Sequence, residues 1–167
     1  NLIRRYFKST VPLVLGGIEA SLRRVSHYDY WSNKLKKPIL FDSKADILIY
    51  GMGEIAIEQL TRALERGEDY TDIRGVCYIS KEPKNEYYQL PSHAKCLEDK
   101  ENYIDLFDLF YDNNDPINAK GLCQPVDTRF LIQNPPCDYL NEDEMDANSN
   151  LAFTREVHPY YAKMGKV

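Results

Sequence analysis

The residues best placed to do chemistry lie at two glycine-rich turns. Gly51-Met52-Gly53-Glu54-Ile55-Ala56 has the form G-x-G-x-x-A, after an apolar run and at the start of an amphipathic one. Glycines at such a turn let a phosphate approach the backbone, and the helix start offers free N–H groups. Two acids argue against a dinucleotide. Glu54 puts a carboxylate where the pyrophosphate charge would sit. Asp72, at the distance of about 20 residues where a ribose-binding acid belongs, precedes the next strand instead of ending it, and Glu82 lies too far along. A tight strand-to-helix turn, with Glu54 complementing the helix dipole, explains the pattern more simply. Gly16-Gly17, followed by Glu19, Arg23 and Arg24, is a turn of the same type. If the two strands that feed these turns are neighbours, Gly16, Gly17, Gly51, Gly53 and Glu54 face one cleft. Open parallel sheets bind ligands at such carboxyl ends.

Other chemistry has thinner support. No pair of Cys77, Cys96, Cys123 and Cys137 has the close spacing of a zinc ribbon, a redox motif or a cysteine cluster site. His93 and Cys96 make half of a metal motif without a second half, and His158 precedes Pro159 in an irregular tail. No metal site and no catalytic residue is expected in this chain. Cys77 sits in an apolar strand pattern and reads as core. The start, NLIRRYFKST, has no apolar signal region, and no apolar run approaches the ~20 residues needed to span a bilayer. Reduced thiols, a cytoplasmic location and no membrane contact are therefore expected. The net charge of −5 argues against a general nucleic-acid binder. Arg23-Arg24 and the lysines of 34–37 read as short patches of solvated surface.

The elements that must position these turns are legible as periodicity. Charged residues make up 28% and apolar residues 43% of the 167, enough apolar surface for a folded core. Val11 to Leu15 is a continuous apolar run that suits a central parallel strand, and Ile18, Leu22 and Val25 recur as a helical stripe. Ala45 to Tyr50 repeats the strand. Glu54 to Arg66 repeats the helix, with Ile57, Leu60 and Leu64 as its buried face and Gly67 as its stop. A third strand follows at residues 75–79. Strands alternating with helices predict an α/β fold, a small parallel-sheet, Rossmann-like unit over residues 1–82. Residues 83–167 change character and read as an irregular α+β connector, an arm that wraps something. It holds a helix from Glu98 to Tyr111 with a stripe of Ile104, Phe107 and Tyr111, a strand at Arg129 to Gln133 ended by Asn134-Pro135-Pro136, and one helical turn at Asn141 to Met145. Three strands are few for such a sheet, and the missing ones are expected before Asn1. The opening itself reads as a helix already under way, with Leu2, Ile3, Tyr6 and Phe7 on one face, so the chain is expected to continue a longer protein.

Several motifs occur in a fixed order: VPLVLGGIEASLRRVSHYDYWSNK (11–34), DSKADILIYGMGE (42–54), NDP (114–116), NPP (134–136) and REVHPYY (155–161). In this order they resemble the YgiQ-type radical S-adenosylmethionine (radical SAM) proteins, over nearly the whole chain. The resemblance implies a much longer parent. In it, a Rossmann-like N-terminal region, similar to cobalamin-binding domains, precedes a partial barrel. A C-x-x-x-C-x-x-C motif there holds a 4Fe-4S cluster that cleaves S-adenosylmethionine. That motif is absent here, and the D-x-H-x-x-G turn that carries a cobalamin-ligating histidine is absent too. The resemblance therefore implies no cluster and no cobalamin for this chain itself, with cluster and S-adenosylmethionine belonging to the parent and its barrel the partner. The parent's substrate stays open. Two other readings remain beside it, a nucleotide- or phosphate-binding module and a pure interaction domain.

One cluster is left without a packing explanation: His27-Tyr28-Asp29-Tyr30-Trp31. In an extended chain Tyr28 and Tyr30 share one face, and His27, Asp29 and Trp31 the other. With Arg23 and Arg24 nearby for cation–π contacts, this suits a seam that docks another domain.

Overall fold

Ile47, Leu48 and Ile49 are all buried, and a strand apolar on both faces has to be covered twice. The computed structural model describes residues 2–7, 9–153 and 155–165. In chain order it has α1 (Leu2–Tyr6), β1 (Val14–Leu15), α2 (Ile18–Leu22), β2 (His27–Asp29), β3 (Lys34–Lys36), α3 (Ile39–Ser43), β4 (Ile47–Ile49), α4 (Glu54–Arg66) and β5 (Val76–Ser80). There follow β6 (Tyr88–Gln89), α5 (His93–Glu98), α6 (Lys100–Asp112), β7 (Leu122–Val126), β8 (Arg129–Gln133), α7 (Glu142–Ser149) and α8 (Pro159–Ala162).

Six strands form one sheet in the order β1-β4-β5-β8-β7-β6, and β2 and β3 pair separately as a hairpin. Alternation along the strands sorts the core into two layers. Ile47 and Ile49 join Ala56, Leu60, Val76, Tyr78 and Ile132 under α4. Leu48 and Tyr50 join Ala20, Val25, Leu40, Cys77, Leu106 and Leu131 on the other face, under α2, α3, α5 and α6. The α/β class read from the sequence holds.

Strand direction departs from expectation. β1 runs parallel to β4, with Val14 opposite Ile47, but β5 is antiparallel to β4, with Leu48 opposite Cys77. The reason is the return path. α4 has 13 residues and so runs about 20 Å. It ends where Gly67 turns left-handed at φ 66, with Glu68 N–H donating to Ala63 O. The stretch 68–75 can reach up to roughly 26 Å when extended. That suffices to carry the chain back to where β4 ended, and Tyr50 N–H donates to Gly75 O at 3.0 Å.

The run at residues 11–15 becomes an edge strand of two residues, not a central one. The second partner of β5 comes from later in the chain. β8 pairs antiparallel with it, Tyr78 opposite Ile132, and β7 and β6 extend the sheet. The sheet thus continues across the boundary expected at residue 82.

Helix faces differ in detail. α2 is only five residues long, so Val25 lies beyond it and is buried while Ile18 and Leu22 are exposed; Ala20 is the buried position. In α4, Leu60 is buried as expected, but Ala56 and Ala63 line the core beside it and Ile57 is exposed. Asp99 divides the expected 98–111 helix. Its carboxylate accepts from Glu101 N–H at 3.1 Å and starts α6. The Ile104, Phe107 and Tyr111 stripe faces outward, and Leu106 is the buried side chain. On α1, Leu2, Ile3 and Tyr6 are exposed, as is Phe7 just beyond it, and Arg4 is tied to Asp46.

Leu60→Ala should cost about 2–5 kcal/mol in urea unfolding. Ile57→Ala, on the outward face, should cost about 0.5 kcal/mol or less. Equal costs would contradict the orientation of α4.

Candidate functional site

The two glycine turns do lie side by side, because the strands that feed them are parallel neighbours. Gly17 has φ 87 and Gly51 φ 68, conformations that side chains rarely adopt. A Cβ on Gly53 would come within 2.8 Å of Ile49 Cγ2. Ser21 links the turns: its hydroxyl donates to Gly17 O at 3.0 Å and accepts from Gly51 N–H at 3.3 Å. Gly53 caps α4 without a side-chain hydrogen bond, and Glu54 stands exposed in its first turn. Asp72 is engaged elsewhere, accepting from Lys84 Nζ at 2.6 Å.

Arg24 departs most from its sequence reading. Expected on a solvated basic patch, it is 5% exposed. Its guanidinium lies between two rings, 4.3 Å from the Tyr50 centroid and 4.2 Å from that of Phe110. Nε donates to Gln133 Oε1 at 2.9 Å, one terminal nitrogen to Ser21 O and the other to Asn114 Oδ1. Burial pushes its pKa down, yet an arginine stays charged. Gln133 Nε2 is buried with no hydrogen bond among the described residues. Burial also holds the Tyr50 hydroxyl well above its ordinary range; it stays protonated and donates to Asn134 O at 2.5 Å. A cavity of about 290 Å³ opens beside this group, bounded by Arg24, Tyr50, Gly51, Met52, Pro136 and Tyr139. Sequence reasoning missed Tyr50, Phe110, Asn114 and Gln133. The one local signal was a glutamine ending the apolar run Phe130-Leu131-Ile132.

Arg23 points the other way. It pairs with Glu19 at 2.8 Å and donates from Nε to His27 Nε2 at 2.9 Å. His27 therefore carries its proton on Nδ1, which donates to Val25 O at 3.2 Å. The aromatics beyond it are not core. The β2–β3 hairpin holds out Tyr30, 78% exposed, and Trp31, 92% exposed, while Tyr28 is half exposed. Tyr28 N–H donates to Tyr103 Oη at 3.1 Å, which ties the hairpin to α6.

His93 and Cys96 are both buried on α5. Ser26 N–H donates to Gln124 Oε1 at 3.0 Å, and Gln124 Nε2 donates back to Ser26 Oγ at 2.8 Å. The Ser26 hydroxyl and His93 Nδ1 share a further hydrogen bond at 2.9 Å.

The model for the radical SAM N-terminal family matches residues 1–167. This chain belongs to that family. It is 60% identical to a UPF0313 protein of Fusobacterium nucleatum over 168 residues and 46% identical to one of Thermotoga maritima over 170, covering all of this chain in each case. A UPF0313 protein of Clostridium botulinum is 40% identical over 172 residues. The chain spans about 30% of the length of the first two relatives and 27% of the third. No solved structure matches it.

The cysteines of this radical SAM N-terminal domain do not fit an iron–sulfur cluster. Cluster ligands are convergent thiolates. Here burial pushes the Cys77 thiol up to about 12 and raises those of Cys96, Cys123 and Cys137 as well. Among the described residues no three His, Cys, Asp or Glu side chains converge into a metal-holding group, and no helix is long and apolar enough to cross a membrane.

Burial lowers the pKa of both His27 and His93 below the ordinary 6.5. Just below that value the unfolded chain binds more protons than the folded one, so stability falls as pH drops through it. The urea midpoint should hold between about pH 8 and about pH 7 and then fall toward about pH 5. His93→Gln, which cannot charge, should show a shallower fall than the wild type.

Proposed function

We propose that this domain is the non-catalytic N-terminal part of a radical SAM enzyme, and that it docks onto the catalytic barrel of its own parent chain. The carrying observation is the hairpin that presents Tyr30 and Trp31 to solvent. An indole this exposed gains little for the domain alone, and large exposed apolar groups mark contact surfaces. Nearby, α6 adds Phe107 stacked on Tyr111 with centroids 6.2 Å apart, both exposed. Roughly 70% of each related protein lies outside the matched region, which leaves ample chain for a barrel. The 4Fe-4S cluster and S-adenosylmethionine belong to that part, since no cysteine here suits a cluster. No cobalamin is assigned to this domain either. Four unpaired cysteines agree with a reducing cytoplasm.

A nucleotide at the glycine turns is the weaker reading. Glu54 opposes phosphate at the α4 terminus, and Gly51 N–H is already given to Ser21.

Hydroxyl-radical footprinting read by mass spectrometry tests the docking. Trp31 should oxidise rapidly in residues 1–167 alone and be protected at least several-fold in the full-length protein. Equal oxidation in both would refute it. In the anaerobic full-length protein, Tyr30→Ala with Trp31→Ala should lower deoxyadenosine formation while iron content stays unchanged.

A further inference from the structure

The arginines with carboxylate partners are the more exposed ones. Arg4, Arg23, Arg62, Arg66 and Arg74 each have an acidic partner. Arg24, buried where an unpaired charge is costliest, has none among the described residues. Its three hydrogen-bond acceptors, Gln133 Oε1, Ser21 O and Asn114 Oδ1, are all neutral. A guanidinium has five N–H groups, so one on each terminal nitrogen remains. The rings of Tyr50 and Phe110 cover its faces and supply only quadrupole attraction. The chain has 26 acidic residues against 21 basic ones, so the missing counter-charge is local, not a general shortage of acids.

We propose that the cavity beside Arg24 is a binding site for a small organic carboxylate, anchored by the guanidinium and packed by its apolar walls. Its volume of about 290 Å³ falls just short of the roughly 300 to 1,000 Å³ of drug-sized ligand sites and so suits a small ligand. One guanidinium balances one negative charge, and two remaining N–H groups match the two oxygens of one carboxylate. Met52, Pro116 and Pro136 suit an apolar body, and the Ser21 hydroxyl and Asn114 amide that also line the cavity already donate to Gly17 O and to Phe110 O and Tyr111 O, so the exposed Tyr139 is left to hydrogen-bond the ligand's rim. Phosphate is disfavoured because the adjoining turn provides no free cradle: the Gly51 N–H donates to Ser21 Oγ.

The test is thermal unfolding of the full-length protein with millimolar 3-phenylpropionate, its neutral amide 3-phenylpropanamide, or inorganic phosphate. The carboxylate should raise the melting temperature by a few degrees and saturate; the amide and phosphate should not. Met52→Trp, which fills the cavity from an exposed position, should unfold at the wild-type temperature without ligand and lose the shift. Equal shifts with acid and amide, a shift with phosphate alone, a shift that survives in Met52→Trp, or a flat response to all three would each overturn the assignment.

Discussion

A guanidinium removed from water needs acceptors and rings in place of its hydration, and Arg24 draws three hydrogen bonds and two ring contacts from five different segments. Ser21 belongs to α2, Tyr50 follows β4, Phe110 lies on α6, Asn114 follows that helix and Gln133 ends β8. Asn114 in turn donates to Phe110 O and Tyr111 O, closing the carboxyl end of α6. One charged group therefore sets where the helical layer meets the sheet. Such a network has little tolerance for partial satisfaction, because each unpaired buried polar atom carries its full desolvation cost.

Around that point the sheet provides rigidity and the turns provide shape. Among the described residues only β1 with β4 and β6 with β7 run parallel. This brings the Gly17 and Gly51 turns to one edge, where Ser21 stitches them together. Asn134 does similar work beside β8. It is fully buried, donates to Thr71 O at 2.9 Å and Ile73 O at 2.7 Å, and accepts from the Tyr87 hydroxyl at 3.0 Å. The Asn-Pro-Pro motif thus holds the return loop from α4 and ends the strand as well.

The outer surface has a different logic. Aromatic side chains are left facing solvent on the hairpin and on α6. The thiols do the reverse: Cys77 and Cys123 are buried in the sheet, where burial suppresses their ionisation. The domain's chemistry therefore rests on packing and hydrogen bonding, with no reactive sulfur at its centre.

Local order was readable from the sequence wherever neighbours in the chain decide it. The 13-residue α4 with its Gly67 stop, the core strand at residues 47–49 and the β8 strand all follow from periodicity, capping and composition. The family could be recognised there too, because its motifs are linear. Tertiary structure alone decided the direction of β5, the joining of β8 to it and the inward turn of Arg24. Strand direction depends on the path of a return loop, and periodicity is the same for both directions. Arg24 was misread because an arginine's surroundings are set by residues up to 109 positions away. No local pattern marks a cation that two distant rings and a distant amide will enclose.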